Sequence, residues 1–304
     1  MAWPIRFRDV VAAIAALAST AHADPAADAT RLRLADHFYA RGEYYRAVGA
    51  YEELQLFTSD PALETRAAIR IALAFHHGHQ IADAVAAYDR ALAGDLDGET
   101  AGLIRISRAV VRADPDAPDL QRAPLADLIG ELAPLARMAA GYQPLATYQL
   151  ARLTLADGDR TAARTLRERT ARRCAAVQPA CAALPRLDAA LALPPARVRT
   201  PAVAAALSAV VPGLGSVYNG HRVDALYYFA LTAGAALVAW DIHDPSASLG
   251  DQKTSFYLMS SLAAVFYTSS IVQGWLGTKR FNEVERLVYR GRVLRATAVP
   301  LPFE

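Results

Sequence analysis

Two long apolar stretches, residues 223–240 and 256–276, limit what this chain can become more than any other feature. A helix needs about 20 apolar residues to cross the roughly 30 Å hydrocarbon core of a bilayer, and interfacial side chains extend a slightly shorter run. No Asp, Glu, Lys or Arg lies deep within either stretch, whereas ion pathways and proton relays normally place such groups there. Both stretches are expected to be membrane helices, and a pump or transporter is disfavoured. Composition agrees: 54% of the 304 residues are hydrophobic and 20% charged, on the apolar side of ordinary globular proteins.

A third apolar stretch, residues 202–218, is interrupted by Pro212-Gly213-Leu214-Gly215. Charge separates the ways of threading it. The connection 241–253 carries Asp241, Asp244, Asp251 and one lysine, while the end of the chain carries Lys279, Arg280, Arg286, Arg290, Arg292 and Arg295. Positive flanks stay cytoplasmic. Three spans put the basic tail inside, the acidic loop outside and the turn Asn219-Gly220-His221-Arg222 inside. The alternative is a first segment broken at Pro212 that is re-entrant or interfacial, tolerated where protein or water covers the backbone. In the tail, Phe281, Val284, Leu287, Val288 and Leu294 alternate with basic residues, the pattern of an amphipathic helix on an anionic leaflet.

The N-terminus sets the compartment. Arg6 and Arg8 precede a short apolar run, residues 10–18, and Ala21-His22-Ala23 precedes Asp24. A basic region, an apolar region and a small-x-small site in that order read as a secretory signal peptide. The run is too short to span, and no cysteine follows it to take a lipid. Cleavage is expected after Ala23, with an uncleaved signal anchor as the alternative. Either way the following segment is exported.

Between residues 30 and 193 the chain repeats. Gly42-Glu43-Tyr44-Tyr45-Arg46-Ala47-Val48-Gly49-Ala50-Tyr51 is followed by Asp60-Pro61, and Ala84-Val85-Ala86-Ala87-Tyr88 returns to the same pattern. Ala47 to Ala84, Tyr51 to Tyr88 and Phe38 to Phe75 are all 37 residues apart. A weaker copy runs through residues 150–159 to Ala162 and Leu166, with Gly158-Asp159 as its turn. Between them Leu125, Leu128, Leu132 and Leu135 recur at helical spacing, with Pro134 expected to kink the helix.

These segments resemble tetratricopeptide repeats, whose period is about 34 residues. The resemblance implies a helical solenoid in which Ala47 and Ala84 let paired helices approach, Tyr51 and Tyr88 fill the next groove, and Pro61 ends a unit. Ala162 and Leu166 take the corresponding packing roles. Such solenoids bind peptides or proteins in a concave groove.

Residues 212–220, Pro212-Gly213-Leu214-Gly215-Ser216-Val217-Tyr218-Asn219-Gly220, resemble a bacterial membrane module with a Pro-Gly-x-Gly-x-x-Tyr-x-Gly signature, distantly like the two-transmembrane-helix domain. Ser216 stands where that module often has Gln. Pro212, Gly213, Gly215, Tyr218, Asn219 and Gly220 are expected to form a tight corner between helices, with Tyr218 at headgroup level; a lipid or peptide contact is the sharper reading. Ala230 with Gly234, and Ser260 with Ala264 and Thr268, have the four-residue spacing of closely packed membrane helices. They are expected to pack with one another, with a homo-oligomeric contact as the alternative.

His76, His77 and His79 include types that bind transition metals, but they fall where a helix should end at Gly78, which suits polar and cationic groups. The only cysteines, Cys174 and Cys181, would lie ~10 Å apart on one straight helix, beyond disulfide reach. Pro179 should break that helix and let the thiols meet in an oxidising compartment; two buried free thiols are the other outcome. No phosphate-binding loop, nucleophile elbow or zinc-protease helix occurs, and Asp224 and Asp241 border the apolar stretches where helix ends explain them. A net charge of +2 gives no support to a nucleic-acid partner.

The expectation is therefore an all-α chain: signal peptide to residue 23, a tetratricopeptide-like helical solenoid over 30–193, a linker over 194–200, a transmembrane helical bundle of two or three spans over 201–277 and a basic cytoplasmic tail over 278–304. Its role would be a periplasmic adaptor anchored in the bacterial inner membrane. It would bind a protein partner through the repeats and lipid through the bundle, without a cofactor, metal or catalytic site. The alternatives are a membrane subunit for lipid or solute handling with regulatory repeats, and a hydrolase whose convergent site the sequence does not announce.

Overall fold

The computed structural model describes residues 25–116, 123–174, 178–242 and 251–303. The expected signal peptide and its cleavage site after Ala23, and Asp244 of the acidic connection, lie outside those residues. Among the described residues every regular element is a helix. The chain divides into two compact units, one running to Ala192 and including Val293–Glu304, the other Leu193–Arg292. This division splits the expected tail, whose described part from Val293 on belongs with the first unit.

The first unit is built from α1 (Pro25–Ala40), α2 (Tyr44–Phe57), α3 (Pro61–His77), α4 (Ile81–Leu92), α5 (Gly98–Arg112), α6 (Leu125–Leu135), α7 (Gln143–Asp157), α8 (Arg160–Arg173), α9 (Pro179–Ala182) and α10 (Leu184–Ala192). From α1 to α8 each helix packs against its neighbours in sequence, and α9 and α10 return onto α7 and α8. Local chemistry places the ends. Asp60, Asp97 and Asp159 cap α3, α5 and α8 by accepting backbone N–H groups of Ala62, Thr100 and Ala162 at 2.8–2.9 Å. Pro61 thus opens a helix, where its missing N–H costs nothing. Gly158 ends α7 at φ +107°, a left-handed conformation that glycine adopts without strain. Pro134 sits one residue before the end of α6 and marks its termination, not a kink within a longer helix.

Ala47, Tyr51, Ala84 and Tyr88 are all fully or almost fully buried in one core with Ala35, Leu54, Leu73, Ile81 and Ile104. The alanines carry only a methyl group, so adjacent helices approach closely. Each tyrosine removes on the order of 200 Å² from water, about 5 kcal/mol of gross stabilisation at ~25 cal/mol per Å². The Tyr51 hydroxyl donates to Asp36, and burial together with that carboxylate holds the phenol well above its ordinary pKa. In the third copy the register differs by one. Ala163 is fully buried, while Ala162 and Leu166 are only half-buried.

Cys174 and Cys181 form a disulfide with their Cα atoms 5.6 Å apart. The helix ends at Arg173 and resumes at Pro179, which is what brings the two thiols within reach.

The second unit contains α11 (Pro201–Val210), α12 (Leu214–Tyr218), α13 (Arg222–Asp241) and α14 (Asp251–Ala296), whose last turn enters the first unit. Residues 202–218 do not form one spanning helix: α11 has ten residues and α12 five, lengths of about 15 and 8 Å at ~1.5 Å per residue. The break follows from Val211, held extended before Pro212, and from Gly213 at φ +91°. A single helix over 202–218, as three spans require, is not formed, and the helices match the alternative of a first segment broken at Pro212. Two helices, Arg222–Asp241 and the apolar part of α14, are long and apolar enough to cross a membrane. Their large apolar side chains face outward, among them Leu226, Leu237, Trp240, Leu258 and Val265.

The disulfide closes a short loop, for which chain entropy gives about 2 kcal/mol. Replacing both cysteines by serine is expected to lower the stability of the first unit by about that amount in chemical denaturation. Thiol titration of the unfolded, unreduced protein should find no free thiol; two free thiols and an unchanged midpoint would contradict the bond.

Candidate functional site

Six residues singled out in the sequence, Pro212, Gly213, Gly215, Tyr218, Asn219 and Gly220, come together with α11, α13 and α14 at one corner of the second unit. Gly215 faces α11: a methyl group there would stand 2.3 Å from the Ala204 carbonyl oxygen and 2.5 Å from Ser208 Oγ. Gly274 of α14 approaches the same carbonyl, 3.0 Å from where its methyl would be. Gly213 meets the backbone of α13, where a methyl would lie 2.3 Å from the Ala225 carbonyl oxygen. Glycine is required at these places because backbone occupies the space a side chain would take.

Polar groups inside this corner are paired with one another. Gly215 N–H donates to Ser208 Oγ at 3.0 Å. Asn219, almost fully buried, donates through Nδ2 to the Gly274 carbonyl at 3.1 Å, and its Oδ1 lies 2.8 Å from the Thr278 hydroxyl. The turn closes with Gly220 at φ +87° and His221 N–H on the Ser216 carbonyl at 2.9 Å. Tyr218 accepts Thr200 N–H at 3.3 Å, and its ring lies 5.6 Å from the Arg199 guanidinium. The Arg199 backbone in turn exchanges two 2.8 Å hydrogen bonds with the Asn282 side chain. Nothing in the sequence marks the partners Ser208, Gly274, Thr278 and Asn282, because their contacts join segments 55 or more residues apart or depend on the break after α11.

The other small-residue positions behave differently. Ala230, Gly234, Ala264 and Thr268 are exposed and Ser260 half-buried, so they do not pack with one another. The inward face of α13 carries Ala225, Thr232, Ala235 and Ala239 instead.

In the first unit the most unusual group is Arg152, fully buried in the middle of α7. Its Nη2 donates to the Leu294 carbonyl at 2.7 Å, Nε to Thr297 Oγ1 at 3.0 Å and Nη1 to Gln149 Oε1 at 3.0 Å. Burial pulls the guanidinium down to about 10, opposed by Tyr148 and Asp114, and it stays protonated at neutral pH. The Leu294 carbonyl belongs to the last turn of α14, where carbonyls have no intrahelical partner. A cation placed there also meets the negative end of the helix dipole. Tyr148 donates to the Thr297 carbonyl at 2.9 Å, Arg186 to the Ala298 carbonyl at 2.6 Å, and Arg295 pairs with Asp116 at 3.0 Å. Leu301 joins the core around Tyr51 and Tyr88, with Phe303 against it.

An open cleft of about 230 Å³ beside this contact is lined by His76, Asp114, Arg152, Leu294 and Arg295. His76 Nε2 lies 3.0 Å from Asp114 Oδ2. Burial pushes the Asp114 carboxyl up, but the His76 hydrogen bond, the Asp116 N–H and the charges of His76 and His79 outweigh it and leave the carboxyl below its usual range. His77 stacks on Tyr44, and His79 takes the left-handed conformation at φ +60° after α3. The His76 and His77 rings lie 5.5 Å apart, but among the described residues no group of three or more His, Cys, Asp or Glu is placed to hold a metal. A second open groove, about 360 Å³, lies along α2, α3 and α4 and is lined by Gln55, Glu64, Thr65, Ala68 and Arg90.

Gly215→Ala is expected to destabilise the second unit by about 2 kcal/mol, the cost of overpacking against a fixed backbone. Gly234→Ala, whose added methyl meets nothing within 4 Å, should be neutral or gain up to about 1 kcal/mol of helix propensity. Thermal unfolding of the full chain in detergent checks both, and equal effects of the two substitutions would contradict the corner.

Comparison of the chain with protein-family models, with curated proteins and with solved structures found no match in any of the three.

Proposed function

We propose that the chain is an adaptor anchored in the bacterial inner membrane, whose exported tetratricopeptide-like helical array binds a protein partner during envelope assembly or biogenesis. The observation that carries this reading is the pairing of two dissimilar units. One is a helical stack with a paired Ala/Tyr core and an open groove along α2–α4. The other presents two long helices, each with a membrane-length stretch whose exposed side chains are mostly apolar. A contiguous apolar surface of that extent is costly in water and favourable in lipid. Stacked helices offer shape and hydrogen-bonding surface suited to a peptide or a helix of another protein.

The export half of the proposal draws on the signal-like N-terminus and on the Cys174–Cys181 disulfide, a bond that persists in oxidising compartments. The anchoring half draws on α13 and α14. Three of the buried polar side chains of the second unit, Ser208, Asn219 and Thr278, are spent on the corner itself.

A photocrosslinking residue at Thr65 or Arg90, in the groove, is expected to capture one discrete protein in intact cells. The same residue at Met138, exposed in the segment after α6, should not capture it. Adducts that are absent, or identical from all three positions, would contradict groove binding.

A further inference from the structure

We infer that the C-terminal segment acts as an intramolecular clasp committing the repeat unit and the C-terminus to the same side of the membrane, so that the chain crosses an even number of times. The inference rests on the membrane anchoring proposed above. It does not depend on which compartment holds the repeats.

The contact leaves no room for a membrane between the tail and the repeats. Val293, Leu294 and Thr297 are fully buried within the first unit. The Leu294 and Thr297 carbonyls receive Arg152 and Tyr148 at 2.7 and 2.9 Å, against a hydrocarbon core about 30 Å thick. Leu301 sits in a core assembled from α1 to α5, while Arg152, Tyr148 and Arg186 come from α7 and α10. The tail thus fastens both halves of the unit that precedes the membrane helices. Were it on the opposite side, a guanidinium in the middle of a buried helix would lose two of its three acceptors, and a buried unpaired charge is among the most destabilising changes a fold can suffer.

The span count agrees. The helices α11 and α12 are too short to cross, which leaves α13 and α14 as one outward and one return passage. The opposing consideration is the basic tail, which by charge alone belongs in the cytoplasm. That rule is a bias on insertion, and here it competes with a specific docking site. Glu283 and Glu285 also dilute the basic run, and Arg295 has its own counter-ion in Asp116.

Three variants of the full chain, each with one added cysteine, test the inference, with the native pair left as its disulfide: Glu52→Cys in the repeat unit, Pro300→Cys in the tail and Thr254→Cys at the start of the apolar part of α14. All three positions are exposed. A membrane-impermeant maleimide is applied to cells with a permeabilised outer membrane, before and after the inner membrane is broken. Equal labelling of positions 52 and 300, with position 254 of opposite accessibility, supports the inference. Opposite accessibility of 52 and 300 overturns it while leaving anchoring intact. Release of the protein by alkaline carbonate overturns the anchoring, and the inference with it.

Discussion

The buried guanidinium of Arg152 is the interaction on which the first unit is closed. Removing a cation from water is expensive, and here the expense is met without a carboxylate in direct contact. Two carbonyl-type oxygens and a hydroxyl accept its protons, and the C-terminal end of α14 adds the field of aligned peptide dipoles. Such a site is selective. It accepts the end of a helix with free carbonyls and rejects a side chain that merely fills the volume. A segment far away in sequence, at Leu294 and Thr297, is thereby tied to α7, and Leu301 carries the tie into the Ala/Tyr core.

The second unit is organised by the opposite device. At the corner between α11 and α13 the chain removes side chains so that backbones can touch: Gly215 and Gly274 flank the Ala204 carbonyl, and Gly213 meets Ala225. Where lipid surrounds helices, apolar burial does little to choose among packings, and close approach with internal hydrogen bonding does more. Asn219 and Thr278 supply that bonding within the cluster. Both devices spend polar side chains on holding structure, and beside them lie an open groove along α2–α4 and outward-facing apolar side chains on α13 and α14.

Much of this was legible in the sequence where spacing and residue type carry the physics. The 37-residue recurrence located Ala47, Tyr51, Ala84 and Tyr88 in a core, and the Gly-Asp turn at 158–159 located the boundary between α7 and α8. The one-residue error at Ala162 arose because Ala162, Ala163 and Leu166 all suit a helix and only packing chooses among them. Charge at the ends of the stretches favoured three spans, while Pro212-Gly213 carried the alternative of a broken first segment, and the helices match that alternative, with residues 202–218 in pieces too short to cross. The clasp had only a faint signal, Arg152 as the one cationic residue among the mostly buried positions of α7. Its partner is more than 140 residues away, and no local pattern announces a contact of that range.

Hydrogen–deuterium exchange of the full chain carrying Arg152→Met, compared with the unsubstituted protein, tests the central claim most directly. Methionine keeps much of the volume and removes the donors. The account predicts that backbone amides of residues 294–301 lose protection by at least about tenfold, about 1.4 kcal/mol of local stability, while amides of α3 and α4 change little. Unchanged protection across residues 294–301 would mean that the C-terminal segment is held by something other than Arg152 and would contradict the clasp.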